Sequence, residues 1–401
     1  MTTAPNVMDP GLIADPFGGY GRLREEAPVL RGVAMDGSPA WYVTRQDDVR
    51  DLLADHRFVT NPTTAGAADP RAALLGSMGI PREYLRYLTH TVLDVDGIDH
   101  SRVRRLVSRT FTVFRVTELR PHVEEIAAAL LDALPERVDL LAAYAYPLPI
   151  TVISELVGVP ETDRPAWRRW AKALVTLDKE TVPDAMRDMV AHCQDLISRR
   201  RAEPTGDLIS GLVAEHDDGD RLTDTEIVTM ILTLVLAGHE TTAHLISNGT
   251  LALLRHPDQL DLLRRDPSLW PGAVHELMRF CGPAHITRLR YATEEVELGG
   301  ITIHAGDAVQ SVLVSANFDP RAYEHPEQLD VTRRLGPGDG HVGFGHGAHY
   351  CLGAALARQE AEVALRALVE RFPDLALDGA EPEWVPMPGS HRLKALPVRL
   401  Q

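Results

Sequence analysis

The sequence predicts a mainly α protein with small β regions, and three observations carry that expectation. From His100 to about Phe280 the pattern is helical almost throughout, broken at Pro135, Pro147, Pro160, Pro183, Pro204 and Pro257, each of which removes an amide donor and stops or kinks a helix. Strand-like pieces are confined to two separated places. One is Ala40 to Thr44; the other is residues 284 to 313, where Val296-Glu-Leu298, Gly299-Gly300 and Ile301-Thr-Ile303 read as a hairpin. No glycine-rich turn follows a long apolar strand, so neither a doubly wound sheet nor a nucleotide-binding domain is indicated.

Taken in order, the N-terminal M-T-T-A-P-N-V-M-D-P has no basic region followed by an apolar stretch, so no secretory signal or membrane anchor is expected. A short helix is expected around Asp47 to Ala54. Residues 61 to 95, rich in Gly, Pro and Ala, read as a long, partly helical connection. The longest helix signal opens at Thr223-Asp-Thr-Glu226, a capping box, and ends at His256-Pro257, a length of roughly 48 Å at 1.5 Å per residue. Val228 to Leu254 is long enough to span a bilayer. Its middle, however, carries His239, Glu240, His244 and Asn248, which lipid would hold only at high cost, so a helix through the protein centre is expected. A helix from about Pro271, strands to residue 313, a helix over Leu352 to Phe372 and a Pro-rich tail complete the chain.

With 401 residues, 44% of them hydrophobic, the chain can bury a substantial core as one large or two smaller domains. A formal charge of −16 argues against a general affinity for nucleic acid or anionic membrane. Three cysteines, Cys193, Cys281 and Cys351, cannot all pair and show no C-x-x-C spacing. A reducing, cytoplasmic setting is therefore expected.

Residues 344 to 353 read F-G-H-G-A-H-Y-C-L-G, a cysteine in a glycine-punctuated loop before a helix. One thiolate with no closely spaced partners is too poor a ligand set for zinc. It suffices as the single protein ligand of a haem iron, whose porphyrin brings four nitrogens. Gly345 and Gly347 let the loop turn tightly against a flat group, and a helix N-terminus favours a thiolate. By itself the loop is equally well an ordinary turn around a buried cysteine.

The segment resembles the haem-binding loop of cytochrome P-450 monooxygenases, Phe-Gly-x-Gly-x-His-x-Cys-x-Gly, with Phe344, Gly345, Gly347, His349, Cys351 and Gly353 at its fixed positions. Three further segments resemble the family in the family's order. Ala237-Gly238-His239-Glu240-Thr241-Thr242 is similar to the oxygen-activating motif, which makes Thr241 the alcohol and Glu240 its acid partner. Taken alone, these two would be a buried pair satisfying the helix backbone, and an interior glycine with threonines could loosen the helix into a local bulge. Glu276-Leu-Met-Arg279 is similar to the Glu-x-x-Arg pair that positions the loop, with Arg333 as third member, although Gln328 and Leu329 depart from the usual Arg-Phe. Asp96 to Val107 is similar to the propionate-binding helix through His100 and Arg104. Arg290 and His349 match the remaining propionate contacts.

What the resemblance implies is one haem domain over residues 1–401: the triangular-prism fold, with haem b (iron protoporphyrin IX) between the long central helix and the helix after Cys351. It implies Cys351 as iron ligand and Ala237, Gly238, Phe344, Gly345 and Gly353 as cofactor neighbours. The implied reaction puts one atom of dioxygen into a large hydrophobic molecule, by hydroxylation or epoxidation of a polyketide, macrolide, terpenoid or steroid-like substrate. Electrons would come through a ferredoxin reductase and ferredoxin, docked on the stripe Arg102, Arg105 and Arg109. A peroxide-driven peroxygenase and a non-catalytic haem-binding sensor are the alternatives. The implied pocket includes Met78, Tyr84, Tyr87, Leu177, Met186 and Ile286. His244, one turn beyond Glu240, departs from the family and is expected to be structural, part of the proton path or a substrate contact.

Overall fold

The computed structural model describes residues 5–176, 178–217, 220–336 and 338–400; Leu177 lies outside them. Contacts group the chain into two compact units. The first takes Met1–Ala67, Ala127–Tyr146 and Thr241–Gln401; the second takes Ala68–Ile126 and Pro147–Glu240.

The first unit is built on a five-stranded mixed sheet, in the order Val29–Val33, Pro39–Val43, Ala308–Ser311, Arg290–Ala292 and Phe58–Val59. Val309 to Ser311 pair in parallel with Trp41 to Val43, and the other pairings are antiparallel. Val29, Val43, Phe58, Ala292 and Val309 meet Val49, Leu52 and Leu53 of the helix Gln46–Ala54 in one buried cluster that also takes in Val342. The expected hairpin is present, Val296–Leu298 against Ile301–Ile303, with Gly299 and Gly300 at φ 56° and 78°, a turn that demands positive φ at both positions.

The second unit is helical: Arg71–Ser77, Gly97–Thr110, Pro147–Val157, Arg164–Thr176, Val182–Ala202, Leu208–Ala214 and the first half of the central helix. Buried Trp167 donates its indole N–H to His192 Nδ1 at 3.0 Å. His192 Nε2 meets Asp163 at 3.0 Å, so helices Arg164–Thr176 and Val182–Ala202 are pinned by a satisfied polar chain.

The central helix runs Asp224–Arg255. Its capping box forms as read: Glu226 N–H donates to Thr223 Oγ1 at 3.2 Å, and Thr223 N–H to Glu226 Oε2 at 2.8 Å. A new helix starts at Pro257. The bulge expected near Gly238 does not interrupt this helix. Besides its helices, the stretch from His100 to Phe280 holds two short strand pairings that were not expected. Arg137–Asp139 is a strand because it pairs with Pro397–Arg399, a partner no local pattern reveals, and His216–Asp217 pairs with Asp220–Arg221. Conversely, Pro121 sits inside the helix Val113–Asp132. Among the described residues no helix is long and apolar enough to cross a membrane.

Candidate active site

Cys351 belongs to the first unit, in a loop closed by its own backbone. Cys351 N–H donates to Phe344 O at 2.9 Å, Gly345 N–H to Val342 O at 2.9 Å, and Tyr350 N–H to Gly347 O at 3.1 Å. Gly345 and Gly347 have φ of 74° and 71°. A Cβ on Gly347 would stand 2.3 Å from Leu53 O, so this glycine is required both by its angle and by close approach of the helix Gln46–Ala54. The following helix is Ala354–Arg371 with Gly353 at its cap. It begins later than the expected Leu352, because Leu352 and Gly353 form the turn that leads into it.

The expected Glu276–Arg279–Arg333 triad is complete. Arg279 Nε and Nη2 donate to the two Glu276 oxygens at 2.7 Å each, and Arg333 Nε donates to Glu276 Oε1 at 3.1 Å. The two helix partners have no exposed side-chain surface. A buried pair of this kind holds only because its other hydrogen bonds are satisfied: Arg279 Nη1 donates to Asn317 O at 2.9 Å and to Pro326 O at 2.8 Å. The Asn317 side chain in turn accepts Val342 N–H at 2.9 Å. A chain of hydrogen bonds thus leads from Arg279 through Asn317 and Val342 into the Cys351 loop. Asn317 carried no motif and was missed from sequence.

On the central helix, Ala237, Gly238 and Thr241 are exposed, Glu240 is half-buried, and the flanking residues 227–232 and 242–253 are buried. Positions 237, 238 and 241 share one helix face, so a short accessible patch interrupts an otherwise covered helix. His100 is buried and Arg104 half-buried, one turn apart on Gly97–Thr110. In the first unit, Arg290 is buried in its strand and donates to Phe58 O at 3.3 Å, and His349 is half-buried in the loop. Of the expected pocket residues, Tyr87 and Met186 are buried. A cleft of about 440 Å³ in the second unit is lined by Arg86, Val92, Arg102, Thr229 and Met230 among others. Thr229 precedes Thr241 by about 18 Å along the helix at 1.5 Å per residue, so this cleft is not where the accessible patch lies.

The basic stripe is less positive than expected. Arg102 is paired with Glu226 and Asp220, and Arg109 donates to Glu215 at 3.1 Å.

His244 is buried near His391. The His285 and His391 rings stack at 4.8 Å, and His391 stacks on Trp384 at 3.6 Å. Burial, then the His285 and His244 charges, hold His391 down at about 2, and burial holds His285 at about 3. Sequence spacing could not find this group, whose members come from three distant segments.

Glu360, on the helix after Cys351, is fully buried, and its Oε1 has no hydrogen-bond partner. Burial raises its carboxyl from 4.5 to about 8. The unfolded chain then loses this proton above pH 4.5 while the native chain keeps it, so the contribution present at low pH is lost as pH rises toward 8. The expected slope is about 1.4 kcal/mol per pH unit across that window. Glu360→Gln should flatten this decline in unfolding free energy measured from pH 5 to 8; a variant with the wild-type slope would show that Glu360 ionises freely.

The thiols differ sharply. Cys351 is exposed, whereas Cys193 and Cys281 are buried, and burial pushes the Cys281 thiol up to about 12 and that of Cys193 higher still. Among the described residues the one His/Cys/Asp/Glu cluster able to hold a metal ion is His275, Asp339 and His341, which does not include Cys351. A single accessible thiol of this kind fits a group that brings its own equatorial donors. A Cβ on Gly353 would meet no atom within 4 Å, so the backbone beside Cys351 is open to a flat neighbour. The residues present therefore fit haem.

Comparison with known proteins agrees. The model of the Cytochrome P450 family matches residues 153–266 and 269–390. The chain is 44% identical to Cytochrome P450 monooxygenase PikC of Streptomyces venezuelae, over 99% of this chain and 95% of that protein. It is 40% identical to 6-deoxyerythronolide B hydroxylase of Saccharopolyspora erythraea, over the whole of both. The ligand-free structure of the P450 monooxygenase TamI superposes with a TM-score of 0.89 at 40% identity, covering 100% of this chain and 95% of that one. With an accessible thiol in a fixed loop and relatives along its whole length, the chain belongs to the cytochrome P450 family and is a monooxygenase that binds haem b.

Proposed function

We propose that this monooxygenase hydroxylates or epoxidises a large hydrophobic molecule of the polyketide, macrolide, terpenoid or steroid class. The hydroxylase relative named for 6-deoxyerythronolide B supports the macrolide end of that range. The 401 residues act as one haem domain. Free cysteines agree with work in the reducing cytoplasm.

Haem b, when bound, supplies the activation of dioxygen. Cys351 ligates its iron. His100, Arg104, Arg290 and His349 pair with the propionates, while Ala237, Gly238, Phe344, Gly345 and Gly353 let backbone lie close to the ring. Glu240 and Thr241 would hold water, with the Glu240 carboxyl and the Thr241 hydroxyl passing protons through it. Electrons come from ferredoxin, reduced by ferredoxin reductase. The helix Gly97–Thr110, with exposed Arg105 beside Arg102 and Arg109, is the face we assign to the donor. Charge-steered docking is screened by salt, so turnover should fall as ionic strength rises.

The observation that carries this reading is exposed Thr241 next to Glu240, within the short patch of Ala237, Gly238 and Thr241 on a helix whose flanking residues 227–232 and 242–253 are buried. Thr241→Ala should leave substrate affinity unchanged and lower product per NADH consumed at least about tenfold, the scale of a lost proton-transfer group. The missing equivalents should appear as peroxide and water. An unchanged ratio would make Thr241 a helix residue only.

A further inference from the structure

The Cys351 loop is held by a second set of contacts that belong to none of the motifs above. Asp339 precedes the loop, Tyr350 sits immediately before Cys351, and Arg358 lies on the helix that follows. The Tyr350 hydroxyl donates to Asp339 Oδ2 at 2.6 Å. Arg358 Nη1 donates to Asp339 Oδ1 at 2.9 Å and to the Tyr350 hydroxyl oxygen at 3.0 Å. Each of the three thus contacts the other two. The Arg358 guanidinium carbon also stands 5.5 Å over the Phe344 ring, and Phe344 O is the acceptor for Cys351 N–H. Asp339 and Arg358 expose 13% and 28% of their side chains, so water screens the pair less than it would a surface bridge.

Two histidines extend the cluster. His275 Nδ1 lies 3.4 Å from His341 Nε2 and 3.6 Å from Asp339 Oδ1, a spacing that would suit tetrahedral zinc. The hydrogen bonds say otherwise. Gly343 N–H donates to His341 Nδ1 at 3.1 Å, which leaves the ring proton on Nε2, the nitrogen facing His275. Both Asp339 oxygens already accept, one from Tyr350 and one from Arg358. The cluster is a hydrogen-bonded network and not a second metal centre.

We propose that Asp339, Tyr350 and Arg358 are positioning residues for the iron ligand, a three-way latch that fixes the Cys351 loop and keeps its sulfur bound as thiolate. Groups one step removed from a metal orient its ligand, and losing one typically weakens the site 10- to 100-fold. This inference rests on Cys351 being the haem ligand.

The test uses the full-length, haem-loaded protein, reduced under carbon monoxide. The readouts are the rate at which the thiolate-type spectrum is lost on mild warming, the haem reduction potential, and unfolding followed by circular dichroism. Tyr350→Phe removes both hydroxyl hydrogen bonds and keeps the ring. Its spectrum should decay about tenfold faster, with a shifted potential, well before the fold is lost. Asp339→Ala added to Tyr350→Phe should accelerate decay by less than the two single effects multiplied, because they share a bond. If Tyr350→Phe does not take up haem, Arg358→Lys, which keeps the charge and loses the planar fork, carries the same expectation. Wild-type decay and potential in these variants would overturn the latch, as would spectral loss that only tracks unfolding. A wild-type protein without the thiolate-type spectrum would instead refute Cys351 as ligand.

Discussion

Cys351→Ala is expected to abolish the thiolate-type carbon monoxide spectrum and to reduce turnover to background, while Cys193→Ser and Cys281→Ser retain both. Cys351 is the exposed thiol, set in a loop whose backbone closes on Phe344; the other two are buried. Burial disfavours their thiolates, Cys281 being pushed up to about 12, so neither can substitute as an anionic ligand. Cys351→His separates coordination from thiolate chemistry, since an imidazole can bind iron without the electron donation that favours O–O cleavage. It should hold haem and give a spectrum of a different type. An unaltered spectrum in Cys351→Ala would remove Cys351 from the iron.

Glu276→Ala is expected to be the most destabilising single change in the first unit, by about 3–5 kcal/mol, the range for removing one partner of a buried ion pair. Arg279 would keep its charge with no exposed surface, and Arg333 would lose the same carboxylate. Damage should reach the cofactor, because Arg279 also holds Asn317, and Asn317 holds Val342 at the root of the Cys351 loop. Chemical unfolding gives the first quantity and haem content per chain the second. Near-normal values of both would mean that the loop is held without the triad. Asn317→Ala offers a finer test: it should lower haem retention with a smaller stability loss, about 1–3 kcal/mol for one unsatisfied buried amide.

Those residues were legible in the sequence where spacing alone brings them together. The Cys351 loop, the capping box of the central helix, the Gly299-Gly300 hairpin and the three-apart pair Glu276 and Arg279 are all local patterns, and each forms as read. What local pattern cannot encode is the distant partner. Arg137–Asp139 is a strand only because Pro397–Arg399 lies beside it. Asn317 matters only because Arg279 and Val342 meet on it. The stripe of Arg102, Arg105 and Arg109 follows from helix geometry, yet Glu226 and Glu215, over a hundred positions away, neutralise two of its charges. Glu360 left a faint signal, an acidic residue one turn from Leu356 among buried positions of its helix. The bulge near Gly238 was expected from propensity, a preference too weak to break a 32-residue helix, which runs unbroken through it.

The measurement that bears most directly on the whole account is turnover under heavy-oxygen-labelled dioxygen. A panel of macrolactones and steroids, each first screened for the haem spectral shift on binding, would be supplied with NADH, ferredoxin reductase and ferredoxin. One labelled atom is expected in the product, the other in water, and no product without reductant. Unlabelled product, or product formed with peroxide alone and unaffected by Thr241→Ala, would contradict it.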